Sequence, residues 1–146
     1  MPSPYTLKRT VAFSETDSAG IVHFSNFFRY MEDAEHAYLR SLGLSVHREL
    51  GDGVAGFPRV NAQCDYRRPL RFEDEFTITV NVVARTDKSV TYGFSFEKTG
   101  EPSPIASGTL KAVYAVKPAG TQKYSAAALP PEIDRLLSVP ADESAG

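Results

Sequence analysis

A chain of 146 residues, 42% hydrophobic and 23% charged, has the composition and length of one folded globular domain. A net charge of −2 argues against a general nucleic-acid binder, and one cysteine rules out an internal disulfide. No stretch reaches the roughly 20 apolar residues of a membrane helix, and MPSPYTLKRT lacks the apolar run of a secretory signal, so a cytoplasmic protein is expected.

Tyr5 to about Ser14 alternates apolar and polar residues, the period of a strand. Glu15 to Gly20 clusters Asp, Ser and Gly and reads as a turn. Phe27, Met31, Ala34, Tyr38 and Leu42 then follow steps of four, three, four and four, which predicts a helix over Asn26 to Leu42. Ser25 or Asn26 can cap its start, and Gly43 stands where a C′ glycine belongs. Glu32, Asp33 and Glu35 fall off the apolar stripe and are expected on the solvated side. A short second helical turn is expected over Val46 to Leu50.

From Arg59 the period is two. Val60, Ala62, Cys64 and Tyr66 are expected to face the core, with Cys64 a buried, inert thiol. Three further strands follow: Phe76 to Arg85, Val90 to Glu97 and Ala106 to Lys117, joined by short turns that favour antiparallel hairpins. Pro130 to Leu137 is expected to form a last short helix. The tail from about Ser138 to Gly146 reads as frayed, and residues 1–146 as one domain. The order predicts an α+β fold, an antiparallel sheet covered on one face by a single long helix.

Gly-x-Ser-x-Gly, a phosphate-cradling glycine loop and His-Glu-x-x-His are all absent, and His23, His36 and His47 show no zinc-like pairing. No metal is expected. Asp17 lies in the turn before the helix. Its bland reading is an Asx-turn carboxylate that satisfies backbone N–H groups. Its functional reading comes from Ile21, Val22 and Phe24, an apolar wall that leads into the helix start. Carboxylates beside apolar walls act as bases or nucleophiles, and helix starts offer unpaired N–H groups for a developing oxyanion. His23 reads as a satisfied histidine or a substrate contact. Arg67, Arg68 and Arg71 form a basic cluster, with Lys88, Lys117 and Lys123 at strand ends. This charge is ordinary surface or a phosphate site.

The stretch Phe13-Ser-Glu-Thr-Asp17-Ser-Ala-Gly20-Ile-Val-His-Phe24-Ser-Asn26 resembles the signature of the 4-hydroxybenzoyl-CoA thioesterase family. Tyr66-Arg-Arg-Pro69, with Asp74 after it, is similar to a second family motif, and the likeness covers about Tyr5 to Pro130. The resemblance implies a hotdog fold, a sheet of five to six antiparallel strands wrapped around the long helix. It implies homodimers or tetramers with sites at the subunit interface, and acyl-CoA as substrate, with coenzyme A part of that substrate and no cofactor besides. It makes Asp17 the catalytic carboxylate and the Phe24 N–H the oxyanion donor. Gly20, Val22, His23, Asn26 and Phe27 then border the substrate, and Lys88, Ser89 and Lys123 hold the CoA phosphates. A branch of the family carries Tyr and His where this chain has Phe13 and Phe24, so the chemistry is expected to rest on Asp17 alone. Two other readings of the same fold are an enoyl-CoA hydratase pairing Asp17 with His23, and a non-catalytic acyl-CoA-binding module.

Overall fold

The computed structural model describes residues 4–139, so most of the expected C-terminal tail lies outside the described residues. β1 (Tyr5–Thr10) keeps the expected alternation but is shorter than its apolar pattern. The Val11 N–H turns to the carbonyl of Asp74 (2.9 Å), and Phe13–Glu15 is a single 3-10 turn. The Glu15 carboxylate closes that turn by accepting the Ala12 N–H at 2.8 Å.

α1 (Asn26–Ser41) buries Phe27, Tyr30, Met31, Ala34, Tyr38 and Leu39. It ends at Gly43, whose φ of +77° lets Leu44 N–H reach the Leu39 carbonyl (2.8 Å) and Gly43 N–H the Arg40 carbonyl (3.0 Å). This is a Schellman stop, which the glycine in the sequence anticipates.

Around α1 curls a five-stranded antiparallel sheet, β1-β5-β6-β7-β4. Its members besides β1 are β4 (Arg59–Tyr66), β5 (Glu75–Arg85), β6 (Ser89–Lys98) and β7 (Pro104–Val113). In β5 and β6 the apolar set pairs in register, Ile78 with Phe96, Val80 with Phe94 and Val82 with Tyr92. All six of these residues are buried against the helix. A second sheet joins β2 (Arg48–Leu50), β3 (Gly53–Gly56), β8 (Ala115–Pro118) and β9 (Ser125–Ala126). The short α2 (Pro131–Leu136) lies where expected, with Ile133 buried.

The structure corrects several expectations. Val46 to Leu50 is not a helical turn, because Arg48 to Leu50 pair with Gly53 to Ala55 as a hairpin. A partner strand supplies backbone bonds that an isolated turn lacks. The last long strand breaks at Tyr114, whose N–H goes to the Lys88 carbonyl (2.8 Å), so its end passes into the second sheet. In β4, Val60 is 56% exposed and Cys64 is only half-buried. β4 is an edge strand, so one side of its backbone ladder and much of its surface are left uncovered within the protomer.

Glu35 is the sharpest correction. It is fully buried rather than solvated, and the Arg59 guanidinium forks onto its carboxylate, one contact at 2.9 Å. Arg59 arrives from β4, a partner invisible to helical periodicity. Asp33, half-buried, pairs with Arg9. Burial pushes the Glu35 carboxyl up to about 7 in spite of Arg59. The folded-state value lies above the ordinary 4.5, so the folded protein holds this proton more tightly than the unfolded chain. The contribution to stability is full below about 4.5 and is lost as pH rises through about 7. Glu35→Gln is therefore expected to flatten the unfolding free energy across that window, by on the order of 3 kcal/mol. Urea unfolding at stepped pH values measures it, and parallel profiles for variant and wild type would contradict it.

Candidate active site

The loop between β1 and α1 is pinned at several points. Val22 N–H donates to the Leu70 carbonyl (2.8 Å), and His23 N–H donates to the Glu15 carbonyl (2.9 Å). Asn26 donates its side-chain amide to the same Glu15 carbonyl at 2.8 Å. The Glu15 carboxylate in turn accepts the Tyr30 hydroxyl (2.9 Å) and pairs with Arg9 (3.1 Å). A rigid frame thus holds the turn that carries Asp17.

Inside that frame Asp17 N–H donates to the Ile21 carbonyl (2.8 Å), and Gly20 N–H donates to the Asp17 carbonyl (2.9 Å). Gly20 sits at φ +81°, which favours a residue without a Cβ. The Asp17 Oδ1 accepts Ala19 N–H at 2.9 Å. The Asx-turn reading is therefore correct, and it does not compete with the functional one: of the two Asp17 carboxylate oxygens, only Oδ1 is hydrogen-bonded among the described residues.

Asp17 is half-buried in the wall of a cavity of about 420 Å³. Ile21, Val22, Phe24, Phe27, Tyr66 and the Arg67-Arg68-Pro69 stretch complete the lining. Phe27 packs edge-on against Tyr66, ring centroids 5.1 Å apart. The Tyr66 hydroxyl donates to the Phe24 carbonyl at 2.9 Å, fixing the residue two positions before α1. Burial, followed by the Cys64 contact, pushes this hydroxyl up to about 12, so it remains a neutral donor. Among the described residues no acceptor pairs with the Phe24 N–H.

The other expected site residues divide. Val22 and Phe27 are in the cavity wall. His23 is exposed, stacked on Phe24 at 4.6 Å, with Nδ1 2.7 Å from the Ser25 hydroxyl, and is absent from the lining. Among the described residues its ring makes no hydrogen bond to Asp17. Asn26 and Gly20 shape the loop rather than the lining. Lys88 and Ser89 are at the far end of the sheet, since Ser89 pairs with Val113 while Tyr66 pairs with Ala106. At about 3.3 Å per residue along β7 that is more than 20 Å. Ser89 is buried, its hydroxyl 2.7 Å from that of Thr86. Lys123 is exposed just before β9. Tyr66 is a lining residue that the second motif carried without a stated role, and Arg67 and Arg68, read from the sequence as surface charge or a phosphate site, line the same cavity.

A second cavity, of about 470 Å³, lies between Glu32, His36, Val46, Phe57, Arg59 and Tyr124. It holds no part of the Asp17 loop. Among the described residues no cluster of three or more His, Cys, Asp or Glu side chains could hold a metal ion, and no helix is long and apolar enough to cross a membrane.

Residues 11–137 match the Thioesterase-like superfamily, and the chain belongs to it. By class it is a thioester hydrolase with the hotdog fold. It is 31% identical over 102 residues to a 1,4-dihydroxy-2-naphthoyl-CoA hydrolase of Prochlorococcus marinus (strain NATL2A), a span of 65% of this chain and 66% of that one. A solved gentisyl-coenzyme A thioesterase shares 30% identity and a TM-score of 0.74, over 88% of this chain and 98% of that one. A 4-hydroxybenzoyl-CoA thioesterase solved with 4-hydroxybenzoyl-CoA superposes with a TM-score of 0.78 over 92% and 99% of the two chains. At 21% identity it bears on the fold alone.

Proposed function

We propose that this protein hydrolyses acyl-CoA thioesters to the free acid and coenzyme A, with aromatic acyl groups preferred. One observation carries the reading: Asp17 and Phe24, whose backbone N–H has no acceptor among the described residues, line the same aromatic-walled cavity. The Phe24 N–H polarises the thioester carbonyl and takes up the negative charge that grows on its oxygen. One such donor is worth about 3 kcal/mol of barrier. Asp17 either draws a proton from a water that adds to the carbonyl carbon, or adds to it directly to give a mixed anhydride that water then opens. In both routes the C–S bond breaks and coenzyme A leaves as its thiolate. No cofactor enters either route.

Aromatic acyl groups suit the walls, since Phe24, Phe27 and Tyr66 offer ring faces and edges. The names of the relatives point the same way. The protein acts as a homodimer or tetramer joined through β4, whose outer edge is unpaired and whose surface includes exposed Val60 and Tyr66. Antiparallel pairing of two such edges sets the end of one β4 beside the start of the other. It thereby brings the partner's second cavity toward the Asp17 cavity.

A thiol-release assay over benzoyl-, hydroxybenzoyl-, dihydroxynaphthoyl-, butyryl- and palmitoyl-CoA tests the substrate class. The highest kcat/KM is expected among the aromatic thioesters. A preference for palmitoyl-CoA would overturn the aromatic assignment.

A further inference from the structure

We propose that Glu15 is a positioning residue for the reaction, holding the Asp17 carboxylate in register with the Phe24 N–H. This rests on the acyl-CoA reading above and adds a residue that stands outside the cavity. The loop between β1 and α1 is a short hairpin. Asp17 N–H donates to the Ile21 carbonyl (2.8 Å), Thr16 bridges Val22, and His23 N–H donates to the Glu15 carbonyl (2.9 Å). Asp17 stands two residues beyond the Glu15 end of this hairpin, and Phe24 one residue beyond the His23 end. The separation of the carboxylate from the N–H is therefore set by the register between the two arms. A slip of one residue would carry Asp17 about 3.3 Å along its arm and turn its side chain to the opposite side. A misplacement of about 1 Å already costs on the order of 10²-fold in rate.

The Phe24 arm has anchors of its own. The His23 carbonyl accepts Asn26 N–H from α1 (2.9 Å), and the Phe24 carbonyl accepts the Tyr66 hydroxyl (2.9 Å). The Asp17 arm is anchored by the Glu15 carboxylate. Its Oε1 accepts Ala12 N–H (2.8 Å) and the Tyr30 hydroxyl (2.9 Å), and its Oε2 meets the Arg9 guanidinium at 3.1 Å. One side chain thus ties the start of the loop to β1 and to α1. Tyr30 is buried, its ring centroid 4.9 Å from that of Phe76 and the Arg9 guanidinium 5.0 Å above it, so this donor has no room to swing away. Burial, followed by the Glu15 contact, pushes the Tyr30 hydroxyl well above its ordinary range, so it stays a neutral donor. The Glu15 side chain is only 18% exposed and is absent from the lining of the Asp17 cavity, so it acts through the loop. Balancing the charge of Arg9 does not require Glu15, because Asp33 pairs with the same guanidinium. The junction of β1, loop and α1 does require it.

The test is thiol release from benzoyl-CoA by single and double variants, with kcat and KM separated. Glu15→Ala is expected to lower kcat by about 30-fold and to leave KM within about twofold, because the cavity walls stay in place. Glu15→Gln keeps an oxygen for Ala12 and Tyr30 and is expected to recover most of the loss. Asp33→Asn removes the other partner of Arg9 and is expected to leave kcat unchanged. In the Asp17→Asn background, Glu15→Ala is expected to cost less than about threefold more, since no carboxylate is left to place. Should Glu15→Ala fail to fold, Tyr30→Phe keeps the packed ring, removes one donor and carries the same comparison. Its expected loss is about tenfold in kcat, again absent in the Asp17→Asn background. Losses that multiply in the double variant, a loss confined to KM, or an equal loss in Asp33→Asn would each overturn the Glu15 assignment and leave the thioesterase reading intact. Absence of thiol release by the wild-type protein from benzoyl-CoA and from the rest of the acyl-CoA panel would overturn the acyl-CoA reading, and this proposal with it.

Discussion

Asp17→Asn is expected to fold like the wild type and to lose about 10²- to 10⁴-fold in kcat on an aromatic acyl-CoA, the range ascribed to a positioned acid–base group. The expectation that folding survives comes from the contacts of the side chain. Its one hydrogen bond among the described residues is Oδ1 to Ala19 N–H at 2.9 Å, which an asparagine carbonyl oxygen can still accept. The loop is held by other groups, namely Asn26 on the Glu15 carbonyl, Val22 on Leu70 and the bridge of Ile21 to Arg71. The cavity walls are likewise untouched, so KM is expected to change little. What is lost is the charge: an amide neither takes a proton from water nor adds to a carbonyl carbon. Steady-state thiol release, read beside a thermal melt, separates the two effects. An unchanged melting temperature with kcat reduced a hundredfold or more fits the assignment, and wild-type turnover in the variant would end it.

Gly108→Ala is expected to destabilise the five-stranded sheet markedly. Gly108 lies on β7, opposite Cys64 on one side and Phe94 on the other, directly beneath α1. A Cβ there would stand 2.3 Å from the Met31 Cε and 2.5 Å from the Gln63 carbonyl oxygen. Met31 is fully buried, so its side chain has little room to retreat, and the Gln63 carbonyl belongs to the backbone of β4. Relief requires the helix to rise or β4 to shift. Overpacking of this kind costs about 1–3 kcal/mol, and the backbone clash puts this case at the upper end. For a domain of this size that lowers Tm by roughly 5–10 °C. Because the Phe24 N–H sits two residues before α1, a lifted helix also displaces the proposed oxyanion donor, so kcat is expected to fall with stability. Calorimetry on the variant decides it. A melting temperature equal to that of the wild type would show that the helix does not rest on this glycine.

The long helix and the three central strands were legible because their signals are local. Phe27, Met31, Ala34 and Tyr38 recur at helical spacing, Ile78, Val80 and Val82 at strand spacing, and all are buried as those periods require. The place of Asp17 in a cavity wall was legible for a different reason: turn chemistry, an apolar wall and a helix start stand next to one another in the sequence. Features decided by distant partners were not legible. Glu35 is off the apolar stripe and reads as solvated until Arg59 arrives from β4 to cover it. Arg48 to Leu50 reads as helical until β3 offers a ladder. Val60 and Cys64 alternate like core residues, but β4 forms the sheet edge, and a period of two does not say what, if anything, covers a face. Tyr66 belongs to the site only because β4 ends beside the Phe24 carbonyl, a contact between residues 42 apart in the chain.

The geometry proposed for the reaction is tested most directly by a crystal structure of Asp17→Asn with an intact aromatic acyl-CoA. The thioester carbonyl oxygen is expected about 3 Å from the Phe24 backbone nitrogen, the carbonyl carbon against the side chain at position 17. An acyl group bound with its carbonyl away from that nitrogen, for example wholly inside the cavity between Glu32 and Tyr124, would contradict it.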